Sequence, residues 1–140
     1  MKPLYSTEAL ATGAGRDGHV EVSGSDLAFD MAVPTAMGGS GKGANPEQLF
    51  AAGYAACYHS ALQAVARQKK VSIDGSSVGA RVSIGSNDEG GFALAVDLEV
   101  VIPELDHDAA QSLADAAHQV CPYSNATRGN IPVNVTVADD

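Results

Sequence analysis

Positive charge is scarce in this chain. Eight Lys and Arg stand against 17 Asp and Glu in 140 residues, for a formal net charge of −9. An acidic surface repels phosphate backbones and anionic headgroups, so neither nucleic acid nor membrane is an expected partner. Cysteine is sparse too. The two present, Cys57 and Cys121, lie 64 positions apart and form no C-x-x-C pair. His19, His59, His107 and His118 show no metal-ligand spacing, so no zinc or other metal site is expected. The segment MKPLYSTEAL has no apolar core of signal-peptide length, which makes the cytoplasm the expected location. No internal repeat, low-complexity tract or linker is visible, and the length suits a single domain spanning residues 1–140.

Several motifs are incomplete. GGSGKG at Gly38–Gly43 evokes a phosphate loop, but that motif needs glycine where Ala36 stands and Ser or Thr where Gly43 stands. There is no nucleophile elbow and no Ser-His-Asp arrangement. His59 lies two residues after Cys57 in a helical stretch, so the two side chains point apart and make no Cys–His dyad.

What remains is globular material, 45% hydrophobic and 18% charged. Alternation over Tyr5–Ala11, His19–Ser23 and Leu27–Val33 predicts three strands separated by glycine-rich turns. The first turn, Gly13-Ala14-Gly15-Arg16-Asp17-Gly18, puts an arginine on a tight loop. Asn45-Pro46-Glu47 combines an N-cap, a proline at the first helical position and an acid in the first turn. The helix it starts carries no formal charge from Gln48 to Ala66, which predicts burial on nearly every side. Its length almost suffices for a membrane span, but Gln48, His59, Ser60 and Gln63 are polar and alanine dominates.

Strands over Val78–Gly85 and Phe92–Ile102 follow, joined by a hairpin turn at Ser86–Gly91. Asp106 is placed to cap a helix over Ala109–Val120, with Leu113, Ala117 and Val120 on one face. Cys121-Pro122 breaks or restarts it. Ile131–Val137 alternates as a last strand. Strands grouped early and late around two helices indicate α+β with an antiparallel sheet.

Local sequence leaves two readings open for each candidate residue. Cys57, among Gly53, Ala55 and Ala56, is either a small core hydrophobe or a thiol that needs a nearby cation to react. Arg16 is either a solvated turn residue or that cation. Glu47 either favours the helix dipole or forks onto Arg16.

Two longer runs change the balance. NPEQLFAAGYAACYHSAL (Asn45–Leu62) and AAHQVCPYSNATRGNIPV (Ala116–Val133) resemble the two cysteine segments of the organic hydroperoxide resistance (Ohr) family in the Ohr/OsmC superfamily. GRDG at Gly15–Gly18 resembles its arginine loop, and the resemblance covers essentially the whole chain. It implies an intertwined α+β homodimer with antiparallel sheets around long buried helices and active sites at the subunit interface. It implies Cys57 as peroxidatic and Cys121 as resolving cysteine, Arg16 holding the thiolate and Glu47 orienting that arginine. The implied substrates are alkyl and fatty-acid hydroperoxides. No cofactor is bound, and the implied reductant is dihydrolipoamide or a lipoylated protein. Met37, Leu49, Phe50 and Tyr123 are candidate pocket lining.

Glu47 and Cys57 are ten positions apart on one predicted helix, or ~15 Å along its axis. The expectation is therefore that the glutamate serves the cysteine of a partner subunit, with Gly53, Ala52 and Ala56 permitting two helices to approach. Two rival classes stay open: a module that binds a lipid or acyl ligand, and a peroxide sensor. The first needs no lowered thiol pKa at Cys57. The second needs a partner-docking element, which the sequence does not display.

Overall fold

The computed structural model describes residues 1–139, with β1 Ala9–Thr12, β2 His19–Val22, β3 Ala28–Asp30, α1 Pro46–Gln68, β4 Ser77–Ser86, β5 Phe92–Val101, α2 His107–Val120, α3 Pro122–Thr127 and β6 Val133–Val137. The fold is α+β. The chain divides into two compact units, Met1–Leu49 and Phe50–Asp140, with the boundary inside α1.

The first unit holds an antiparallel meander, β1-β2-β3. Its first strand starts at Ala9, later than alternation suggested, because its partner β2 ends at Val22; one further bond, from the Ser23 N–H to the Glu8 carbonyl, extends the pairing past Ala9. The third is cut to Ala28–Asp30, with Met31 bridging to Ala44 instead. No residue of these three strands is buried, and Leu10 and Leu27 are exposed. Only Met31, Ala32 and Asn45 are buried among residues 1–49.

The second unit holds the core. β4 and β5 form a ten-pair antiparallel hairpin whose inward positions include Val96, Leu98 and Val100, with Arg81, Asp97 and Glu99 facing outward. β6 joins β5 in parallel, which corrects the expectation of antiparallel sheets. The connection makes this possible: α2 and α3 intervene between β5 and β6, and parallel neighbours need a crossover of that length.

Against this sheet pack Tyr54, Tyr58, Leu62 and Val65 of α1 and Ala110, Leu113, Ala114 and Ala117 of α2. Burial of α1 is one-sided, another departure from expectation: Gln48, Ala52, Ala56, Ser60 and Ala64 form an exposed stripe at four-residue spacing. α2 starts at His107, and its last residue, Val120, is exposed rather than sharing the buried face of Leu113 and Ala117. Among the described residues no helix is long and apolar enough to cross a membrane.

Asp106 caps α2 as expected, its Oδ1 accepting the Ala109 N–H at 2.8 Å. Asp106→Ala should cost about 1 kcal/mol. The check is a urea melt, in which the midpoint falls and the slope is unchanged.

Candidate active site

Two pairs of chemically capable side chains stand out, one in each unit. In the first, the 3-10 turn Gly15–Asp17 presents Arg16. Gly18 has to be glycine here, since a Cβ would lie 2.2 Å from the Thr12 carbonyl oxygen. Asp17 pins the loop by accepting the Val33 N–H at 2.9 Å. Arg16 then donates from Nη1 to Glu47 Oε2 at 2.8 Å and from Nη2 to Glu47 Oε1 at 2.6 Å. This is a forked, charge-assisted pair. It holds the Glu47 carboxyl below its usual range through the Arg16 hydrogen bonds, against the opposing effect of burial. Local sequence leaves a dipole role and a fork onto Arg16 open for Glu47, and the structure shows both, since the residue also occupies the first turn of α1.

That first turn is closed by a reciprocal capping box. Asn45 Oδ1 accepts the Gln48 N–H at 2.8 Å, and Gln48 Oε1 accepts the Asn45 N–H at 3.1 Å. Leu49 is half-buried just beyond it, and Met37 ends a 3-10 turn with 43% of its surface exposed.

In the second unit α1 presents Cys57, and the α2–α3 junction presents Cys121. The sulfurs lie 3.8 Å apart, both as free thiols. Cys121 is fully buried and caps α3, its sulfur accepting the Ser124 N–H at 3.5 Å. Pro122 therefore restarts a helix rather than merely ending one. Burial pushes the Cys57 thiol above its ordinary pKa, the Tyr123 backbone N–H pulls it down, and Cys121 raises it further. Phe50 and Tyr123 stack at 5.9 Å between centroids, and Tyr54 meets both rings at 5.7 and 5.6 Å. Two of the four expected lining residues are thus together in the unit that carries the cysteines. His59 turns elsewhere, to the Ser76 hydroxyl at 3.0 Å.

Sequence reading missed a buried polar junction behind Cys121. Ser124 Oγ lies 2.8 Å from the Tyr54 hydroxyl and 2.8 Å from His118 Nδ1. Tyr54 also reaches Thr127 Oγ1 at 3.1 Å, and Arg128 donates to the His118 carbonyl. The signal lay in the run VCPYSNATRGN, of whose polar residues α3 turns Ser124 and Thr127 inward.

Known proteins resemble this chain along nearly its whole length. The family model for OsmC-like protein matches residues 39–136. An organic hydroperoxide resistance protein of Xanthomonas axonopodis pv. citri is 50% identical, over 98% of this chain and 96% of its own length. The chain belongs to the OsmC-like family, in its Ohr branch. Solved Ohr structures superpose closely. One from Elizabethkingia anophelis, with thiocyanate bound, has a TM-score of 0.94 at 49% identity and full coverage of both chains. A putative Ohr protein from Vibrio cholerae, with captopril bound in one of its active sites, has a TM-score of 0.92 at 50% identity. It covers 98% of this chain and 94% of its own.

The sign of the Glu47 shift sets a pH test. The unfolded glutamate takes up its proton near ~4.3, before the folded one does. The stability from the pair is therefore complete above that value and lost as pH falls through the lower folded pKa. With Arg16 about one-third exposed, the contribution is expected at about 1 kcal/mol or less. Urea melts from pH 7 to pH 3 should show a steeper acid loss for the wild type than for Glu47→Gln.

Proposed function

We propose that this chain is a cysteine-based peroxidase that reduces organic hydroperoxides to alcohols as part of the oxidative stress response. The observation that carries the reading is the approach of Cys57 and Cys121 to 3.8 Å, in the unit that also holds the aromatic trio. The names of the Ohr relatives support the substrate class.

In this mechanism the Cys57 thiolate attacks one peroxide oxygen. An S–O bond forms, the O–O bond breaks, and the alkoxide takes a proton to leave as the alcohol. Cys121 attacks the resulting sulfenic acid, forming the disulfide and releasing hydroxide, which leaves as water on protonation. A dihydrolipoyl dithiol, on dihydrolipoamide or a lipoylated protein, then exchanges with the disulfide and leaves as the cyclic lipoyl disulfide. No cofactor is bound in the cycle. Apolar surroundings suit alkyl and fatty-acid hydroperoxides better than hydrogen peroxide. The cycle also suits a reducing compartment, here taken as the cytoplasm.

Burial alone works against the first step, because it disfavours the thiolate. A cation is needed, and Arg16 clamped by Glu47 is built to supply one. The clamp and the thiol of one chain sit ~15 Å apart along an unbroken α1. We therefore assign the functional unit to a homodimer in which Glu47 of one subunit serves Cys57 of the other. Two exposed features fit a partner: the small-residue stripe Ala52, Ala56, Ser60 and Ala64, and a three-stranded sheet with no buried residue. Gly53 is not part of that stripe, because Tyr123 of the same chain occupies the space above it.

Two experiments test the reading. Cys57→Ser should abolish turnover of tert-butyl hydroperoxide, whereas Cys121→Ser should still react once and stop at sulfenic acid. The wild type should turn over with dihydrolipoamide and not with thioredoxin, and equal rates with both would defeat the assignment of reductant. Separately, mixing and refolding inactive Cys57→Ser with inactive Glu47→Ala protein should restore part of the activity, since a heterodimer keeps one intact site. No recovery from a verified heterodimer would refute the shared site.

A further inference from the structure

We propose that Ser124 is a positioning residue: it staples α3 to both α1 and α2, and so holds Cys121 within reach of Cys57. The inference rests on the peroxidase reading and adds a residue which that reading does not use.

Three observations carry it. First, α3 is only six residues long, so its own backbone bonds give it little independent stability. Second, Ser124 is fully buried and bonded in every direction. Its hydroxyl meets Tyr54 of α1 and His118 of α2 at 2.8 Å each, and its N–H reaches the Cys121 sulfur at 3.5 Å. Its carbonyl accepts the Arg128 N–H at 2.9 Å and the Thr127 hydroxyl at 3.2 Å. One residue thus ties together the helix that carries Cys57, the helix that ends at Cys121, and the turn between them. Third, the next residue back is held from the other side. A Cβ on Gly53 would lie 2.8 Å from the Tyr123 hydroxyl and 3.2 Å from its Cε2, so the bare glycine is what lets that ring settle between Phe50 and Tyr54.

A fully satisfied polar junction inside an apolar cluster admits few alternative geometries, because each alternative leaves a buried donor or acceptor unpaired. The consequence is kinetic. Disulfide closure competes with a second peroxide for the same sulfenic acid, so anything that keeps Cys121 in place shortens the exposure of Cys57 to over-oxidation.

The test is single-turnover oxidation by tert-butyl hydroperoxide, quenched and read by mass spectrometry. Ser124→Ala should form Cys57 sulfenic acid at the wild-type rate but close the disulfide more slowly, on the order of tenfold for the loss of two buried hydrogen bonds. In excess peroxide it should accumulate sulfinic acid where the wild type does not, and Ser124→Thr, which keeps the hydroxyl, should recover closure. Tyr54→Phe removes one of the two Ser124 hydroxyl bonds, together with the Tyr54–Thr127 bond, with little change of shape, and should also slow closure; it decides the matter if Ser124→Ala does not fold. Folded Ser124 and Tyr54 variants that close at the wild-type rate would overturn the inference while leaving the peroxidase reading intact. A wild type that forms no Cys57–Cys121 disulfide would overturn both.

Discussion

Because α1 runs unbroken from Pro46 to Gln68, Glu47 and Cys57 are held nearly three turns apart. No proline or kink between them can shorten that distance. The carboxylate that pairs with Arg16 and the Cys57 sulfur thus stand on one continuous helix, ten positions apart. The proposed shared site follows from that spacing, since a glutamate cannot reach the thiol of its own helix across nearly three turns. The same helix carries an exposed stripe of small residues, and the meander of the first unit has no buried strand residue.

Around the sulfurs the physics is a contest over charge. Burial against the sheet and α2 stabilises the fold, yet the same burial makes the Cys57 thiolate harder to form. The Tyr123 amide opposes that effect from within the chain. Phe50, Tyr54 and Tyr123 pack ring against ring in the same unit. Behind Cys121, Tyr54, Ser124 and His118 satisfy one another, so the polar atoms of the junction cost little to bury and restrict how α3 can sit.

Much of this was legible in the residues. Asn45-Pro46-Glu47 starts a helix because its cap, ring geometry and charge all act within four residues of one another. Val96, Leu98 and Val100 alternate because a strand repeats every two residues. The two cysteine segments and the GRDG turn carry a resemblance specific enough to name the family. These are local signals, and local signals survive without a fold.

What only the tertiary structure decided is how distant stretches meet. Nothing within a few residues of Glu47 marks it as the partner of Arg16, 31 positions earlier. Nor does local pattern tell that Gly53 makes room for a ring 70 positions on, that β6 runs parallel to β5, or that Ser124 is an interior residue. Each depends on packing between elements, where the energy belongs to a pair of surfaces rather than to either sequence. The sequence by itself determined the helix caps, the strand alternation and the presence of two thiols. Their pairing at 3.8 Å was settled by where the buried faces of α1 and α2 come to rest against one sheet.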